Sequence, residues 1–127
     1  KLEATRADYD EALFTDEHGM VCEATGENVF MVNGGHISPV AHPDALPGIT
    51  RATVMALTGA EERAVSVNEL RQADEVFLTG TSAEVAWVSK LDGRQFEQKK
   101  VSLEVAQLYQ DVVHGRESSR SDWLTWA

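Results

Sequence analysis

The tightest constraint on this chain lies between Ala12 and Ser38, where short apolar runs alternate with turn-forming residues. Ala12-Leu13-Phe14-Thr15 reads as a strand, Asp16-Glu17-His18-Gly19 as a turn and Met20-Val21-Cys22-Glu23-Ala24 as the returning strand. Runs this short cannot support helices, and turns this tight bring neighbouring strands together antiparallel. Thr25-Gly26-Glu27-Asn28 breaks the pattern before the strand Val29-Phe30-Met31-Val32. Asn33-Gly34-Gly35 is a strong hairpin turn, because such turns need positive φ, and His36-Ile37-Ser38 then pairs back. The first third is therefore a sheet of hairpins.

Helices enter later. A helix is expected over about 50–58 with Thr50 at its N-cap, after the loop Ala45-Leu46-Pro47-Gly48-Ile49. Ala64-Val65-Ser66-Val67 reads as a brief strand, and Ser66 with Glu69 has capping-box spacing, with Val67, Leu70 and Ala73 on one face. Strands are expected at Glu75–Thr79 and Glu84–Val88, with a turn at Asp92-Gly93. A final helix over 102–114 would start on Ser102, bury Leu103, Ala106, Tyr109 and Val113, and stop at Gly115. Residues 1–8 have helix-forming composition without a cap. The expected fold is α/β in composition, a mixed α+β domain whose mixed sheet or partial barrel is covered by a few helices. At 127 residues it is one domain with a modest core.

Charge and cysteine content narrow the function. A net charge of −10 and a pI near 4.7 argue against nucleic acid and anionic membrane as partners. Cys22 alone permits no internal disulfide and no cysteine metal site, and no metal is expected, since histidines 18, 36, 42 and 114 are scattered and read as surface or turn residues. There is no membrane-length apolar run and no signal peptide, which makes the cytoplasm the expected compartment.

Three segments carry possible chemistry. The 45–50 junction would present the unbonded first amides of a helix and the Thr50 hydroxyl to an anion, although on these residues alone Thr50 reads first as the cap of a surface helix. Gly80-Thr81-Ser82-Ala83, at the end of an apolar strand, could aim successive amides and hydroxyls at one anion, or could be an ordinary loop. Glu23 interrupts an apolar strand: a buried carboxylate needs a partner, whereas strict alternation would turn it to solvent.

Taken in order, Glu23-Ala24-Thr25-Gly26-Glu27-Asn28-Val29-Phe30, Ala45-Leu46-Pro47-Gly48-Ile49-Thr50-Arg51 and Ala73 through Glu84 resemble the consecutive motifs of class IV aminotransferases, which use pyridoxal 5′-phosphate. The resemblance runs from about residue 2 to 93 and is strongest to the branched-chain amino-acid aminotransferases; Asp122-Trp123 and Trp126 are similar to that family's ending. It implies a fold type IV large domain and transfer of the amino group of branched-chain amino acids to 2-oxoglutarate. By position, Glu23 resembles the carboxylate facing the cofactor's pyridine nitrogen, and Leu46 the side chain packed on its ring. Ile49, Thr50 and Thr81 match phosphate ligands, and the Thr81-Ser82-Ala83 turn matches the one that receives the substrate carboxylate, with Ser82 where the family often has Ala.

The resemblance also implies a lysine that forms the Schiff base. Its expected place is upstream of Lys1, so no catalytic residue is assigned within this chain. With no initiator methionine, the chain reads as the cofactor-binding C-terminal large domain, 1–127, of a homodimer whose smaller N-terminal domain is absent, and this piece alone is expected to be inactive. Two departures bear on substrate: the short stretch 57–63, and the lack of Gly-Pro in 94–101. D-amino-acid and R-amine transaminases and aminodeoxychorismate lyases share the motifs, and a non-catalytic phosphate-binding or interaction module is the reading from another class.

Overall fold

The computed structural model describes residues 2–6, 9–81, 84–91 and 94–113, with side chains described from Leu13 onward. Two antiparallel sheets carry the fold. In chain order the elements are β1 (Leu2–Arg6), β2 (Tyr9–Thr15), β3 (Val21–Ala24), β4 (Asn28–Asn33), β5 (His36–Pro39), α1 (Ile49–Thr58), α2 (Val67–Arg71), β6 (Glu75–Gly80), β7 (Glu84–Trp87), β8 (Lys90–Leu91), β9 (Arg94–Gln95) and α3 (Lys100–Val113). One sheet has the order β3-β2-β1-β8-β9 and the other β5-β4-β6-β7. The expected mixed sheet thus resolves into two sheets whose ladders are all antiparallel among the described residues.

The hairpins form as expected. Leu13 pairs with Ala24 and Phe14 with Glu23 across β2 and β3. Asn33 pairs with His36, leaving Gly34 and Gly35 as a two-residue loop with φ of 55° and 78°, which side-chain-bearing residues resist. β4 is buried almost end to end because it lies between two layers. Val29 and Met31 join Val76 and Leu78 in the core that includes Leu13 and Val21 of the first sheet. Phe30 and Val32 face the other way, with Phe77, toward Val54 of α1 and Val105 of α3. Phe30 and Phe77 are register partners and stack with centroids 4.7 Å apart. The pair adds about 1 kcal/mol beyond its buried area.

Three local expectations are corrected. The N-terminal segment expected as helix is strand β1, paired on both sides by β2 and β8, so sheet pairing outweighs the helical preference of Leu, Glu and Ala. Residues 64–67 form no ladder: Val65 O and Val67 N bond Val21 N and Gly19 O, while the only bridges near them, among the described residues, are Met20 with Ser66 and Val40 with Arg63. The last helix begins at Lys100, not at Ser102, and buries Ser102, Val105 and Val112. Leu103 and Val113, expected inside, are exposed. Ser102 is drawn inward because its N–H and hydroxyl both donate to Glu75 Oε1, at 2.8 and 2.7 Å. His114, Gly115, the 92–93 turn and the Trp123–Trp126 tail lie outside the described residues.

Candidate functional site

Two sheets meeting at one seam create the cleft. After β3 the chain turns through Thr25 and Gly26, with Ala24 N–H donating to Glu27 O at 2.9 Å and Glu27 N–H to Ala24 O at 3.1 Å. That turn carries the chain from the first sheet into the second, placing Glu23 at the end of one and Asn28 at the start of the other. A cavity of about 280 Å³ opens beside it, bounded by Glu23, the 26–28 turn, the loop from Leu46 to Thr50, and Gly80 with Thr81.

Five sequence-expected residues are brought together there: Glu23, Leu46, Ile49, Thr50 and Thr81 all line the cavity. Ser82 and Ala83 lie outside the described residues. Glu23 is half-buried, and its Oε1 accepts the Leu46 N–H at 2.9 Å. The carboxylate thus has a fixed partner, rather than the solvent that strict strand alternation offered.

Helix α1 starts one residue earlier than expected, with Gly48 in the extended N-cap conformation and making no side-chain cap bond. Thr50 is therefore not the cap: it is already in the first turn, buried, and its hydroxyl donates to Gly80 O at 3.3 Å. Ala52 N–H is bonded to Gly48 O, so the amides of Ile49, Thr50 and Arg51 have no carbonyl a turn earlier in the helix. No acidic side chain sits in that first turn. Arg51 does not line the cavity either: its guanidinium bonds Val40 O at 3.2 Å and Glu62 at 2.6 Å. The lining of the cleft consequently combines two acidic side chains, Glu23 and Glu27, with the partial positive charge of the helix N-terminus.

Glycines set how close these walls come. A Cβ on Gly48 would lie 2.3 Å from Asn28 Oδ1, and one on Gly80 would lie 2.9 Å from Glu27 Cγ. Asn28 Nδ2 also donates to Leu46 O at 2.9 Å. Leu46 and Ile49, 70% and 86% exposed, stand at the mouth. Phe14, half exposed, is the register partner of Glu23 and so shares its face.

Residue-by-residue reading misses the parts played by Asn28, Glu27 and Gly80; a polar residue opening a strand as apolar as β4 is the available signal for Asn28. It also misses the burial of His42, which opens a turn closed by Ala45 N–H on His42 O. That side chain is only 7% exposed, its Nε2 lying 3.0 Å from Asp16 Oδ2 while its Nδ1 accepts the Asp44 N–H at 3.0 Å. Asp16 Oδ1 meanwhile accepts the amides of His18 and Met20. The His42 bond and the Met20 amide hold the Asp16 carboxyl down at about 2. The β2–β3 turn is thereby latched to the loop that leads to Leu46.

Residues 1–91 match the family model for amino-transferase class IV. The chain belongs to that family. Similarity to individual relatives extends along nearly the whole chain. A probable branched-chain-amino-acid aminotransferase of Aquifex aeolicus is 38% identical over 135 residues, covering 98% of this chain and 43% of the relative. The T.th. branched-chain amino acid aminotransferase with pyridoxamine 5′-phosphate superposes with a TM-score of 0.82 at 39% identity, over 92% of this chain and 42% of that one. The same enzyme complexed with N-(5′-phosphopyridoxyl)-L-glutamate superposes equally well, at 0.82. The branched-chain aminotransferase of Thermoproteus uzoniensis with norvaline gives 0.84 at 35% identity, over 91% of this chain and 41% of that one. This class IV chain therefore spans less than half the length of the relatives it matches.

Proposed function

We propose that this chain, residues 1–127, is the cofactor-binding large domain of a transaminase that moves the amino group of branched-chain L-amino acids to 2-oxoglutarate, using pyridoxal 5′-phosphate. One observation carries the reading: a single cleft is lined both by the Glu23 carboxyl group and by helix amides that have no acceptor within their helix. A ligand with a protonatable ring nitrogen at one end and a phosphate at the other satisfies both walls at once. The donor set fits it, and Gly48 and Gly80 let Asn28 and Glu27 pack closer than a Cβ would allow. The glutamate adduct of the T.th. enzyme supports 2-oxoglutarate as acceptor, since glutamate is 2-oxoglutarate carrying the transferred amino group.

Bound, the cofactor supplies an electron sink for the charge that develops on the α-carbon of the amino acid. The chain's residues hold it in place. Leu46 N–H occupies Glu23 Oε1, leaving Oε2 for the proton on the ring nitrogen. The amides of Ile49 and Thr50 and the side chain of Thr81 take the phosphate, and Leu46 covers a ring face. The Thr50 hydroxyl, which donates to Gly80 O, would exchange that acceptor for the phosphate. The Thr81-Ser82-Ala83 turn receives the substrate carboxylate. The proton-shuttling lysine is assigned to a segment preceding Lys1.

The intact protein is read as a cytoplasmic homodimer. In support, Phe14, Leu46 and Ile49 offer apolar surface around the cleft for a covering domain or protomer to bury, and no helix among the described residues is long and apolar enough to cross a membrane. The test is Glu23→Gln in the intact protein, assayed against a panel of amino donors. The variant should retain cofactor absorbance and lose about 10²-fold or more in transamination rate, the scale of removing a charge aimed at the reacting centre. Transamination at the parent rate would overturn the role of Glu23, and a preference for D-amino acids or amines would overturn the substrate assignment.

A further inference from the structure

Leu46 has an unusual kind of support. The residue is 70% exposed, yet both polar groups of its backbone are gripped by side chains. Glu23 Oε1 takes its N–H and Asn28 Nδ2 donates to its C=O, both at 2.9 Å. Asn28 is itself firmly based: it is buried and opens β4, where it pairs with Thr79 of β6. Its other amide atom, Oδ1, lies where a Cβ on Gly48 would have to go. Gly48 has φ −123° and ψ 139°, a conformation open to any residue, so contact with Asn28 and not backbone strain is what demands glycine there.

We propose that Asn28 is a positioning residue for the cofactor: its amide sets the height of the Leu46–Gly48 loop, and with it the ring face and the phosphate-binding amides of Ile49 and Thr50. The inference rests on the functional reading above. Asn28 is assigned no contact with the phosphate. It acts through Leu46 O on one side of the loop and through contact with Gly48 on the other, two anchor points that keep the start of α1 from sliding along β4. Because Glu23 holds the same residue by its N–H, Asn28 also keeps Glu23 Oε1 engaged and Oε2 free.

The geometry makes an asymmetric prediction. In the intact protein, Asn28→Ala removes one hydrogen bond and should weaken binding of pyridoxal 5′-phosphate roughly 2- to 12-fold. Gly48→Ala alone should weaken it about 5-fold or more, since the new methyl group meets Asn28 Oδ1. The double variant should bind no worse than about 2-fold below Asn28→Ala, because the obstacle to the methyl group has gone. Amide exchange at Leu46, followed without cofactor, should quicken in Asn28→Ala by a factor similar to the loss in affinity. A Gly48→Ala defect of equal size with and without Asn28, or Leu46 exchange unchanged in Asn28→Ala, would overturn the role of Asn28. An intact parent protein that takes up no pyridoxal 5′-phosphate overturns the functional reading itself, a different result from either of these.

Discussion

The two longer helices begin in opposite ways. At α3 the first amides are closed off from within: Glu75, buried on β6, accepts Val101 N–H at 3.1 Å, Ser102 N–H at 2.8 Å and the Ser102 hydroxyl at 2.7 Å. At α1 the cap is a glycine without a side-chain bond, and nothing acidic stands in the first turn. Between these extremes, the short helix α2 has a complete capping box in Ser66 and Glu69. All three face the same requirement for an acceptor at the first amides. Where no ligand is intended, the chain supplies its own. The helix left open is the one that borders the cleft, which Glu23 and Glu27 also line.

Breaking the closed end should have the largest effect. Glu75→Ala leaves two amides and a hydroxyl without their acceptor in a buried place, and should cost roughly 2–4 kcal/mol of stability. Melting should fall by on the order of 10 °C, read by calorimetry. Cofactor affinity should change far less, because Glu75 does not line the cleft. A Glu75→Ala protein as stable as its parent would mean that α3 does not need its internal acceptor, and the contrast with α1 would lose its meaning.

What can be read from sequence follows the range of each interaction. The Gly34-Gly35 turn and the Ser66–Glu69 box depend on residues next to each other or three apart, and both stand where expected. The start of α3 depends on a carboxylate 27 positions earlier, which no local pattern reveals, so Ser102 looks like a cap and the buried stripe looks rotated away from Val105 and Val112. His42 reads as a surface or turn residue, and its burial is hidden for the same reason: its partner Asp16 is 26 positions away. β1 looks helical because its residue preference is local and its two strand partners are not. The cleft is legible by another route. Glu23, the 45–50 loop and Thr81 are connected by resemblance to a family, not by their own pattern, and Asn28 escapes because its role lies in contacts to Leu46 and Gly48, not in its residue type.

A smaller loss should come from the capping box. Ser66→Ala removes the acceptor for Glu69 N–H at 3.1 Å and should cost about 1 kcal/mol, measured by denaturant titration. The Glu69 carboxyl, held below its ordinary range first by Arg63 and then by the Ser66 amide, stays in place through those two bonds. A loss as large as that of Glu75→Ala would show that burial of the acceptor is not what separates the two caps.

The smallest effect belongs to Asp16, which does for a turn what Glu75 does for a helix. One oxygen takes the amides of His18 and Met20, and the other takes His42. These bonds favour the charged carboxylate, so its folded value, about 2, lies below the unfolded reference near 3.9. The sign follows from that order. The contribution of Asp16 is complete above the unfolded value, shrinks as pH falls below about 4 and is gone below about 2. Asp16→Asn should therefore be less stable than the parent at neutral pH, by a modest amount for a carboxylate that is only partly buried, and the difference should close across this acid window. Parallel denaturant titrations of the two proteins from pH 6 to pH 2 measure it. A gap that persists unchanged at the acid end would mean that shape, not charge, holds the turn to His42, and the likeness between Asp16 and Glu75 would fail.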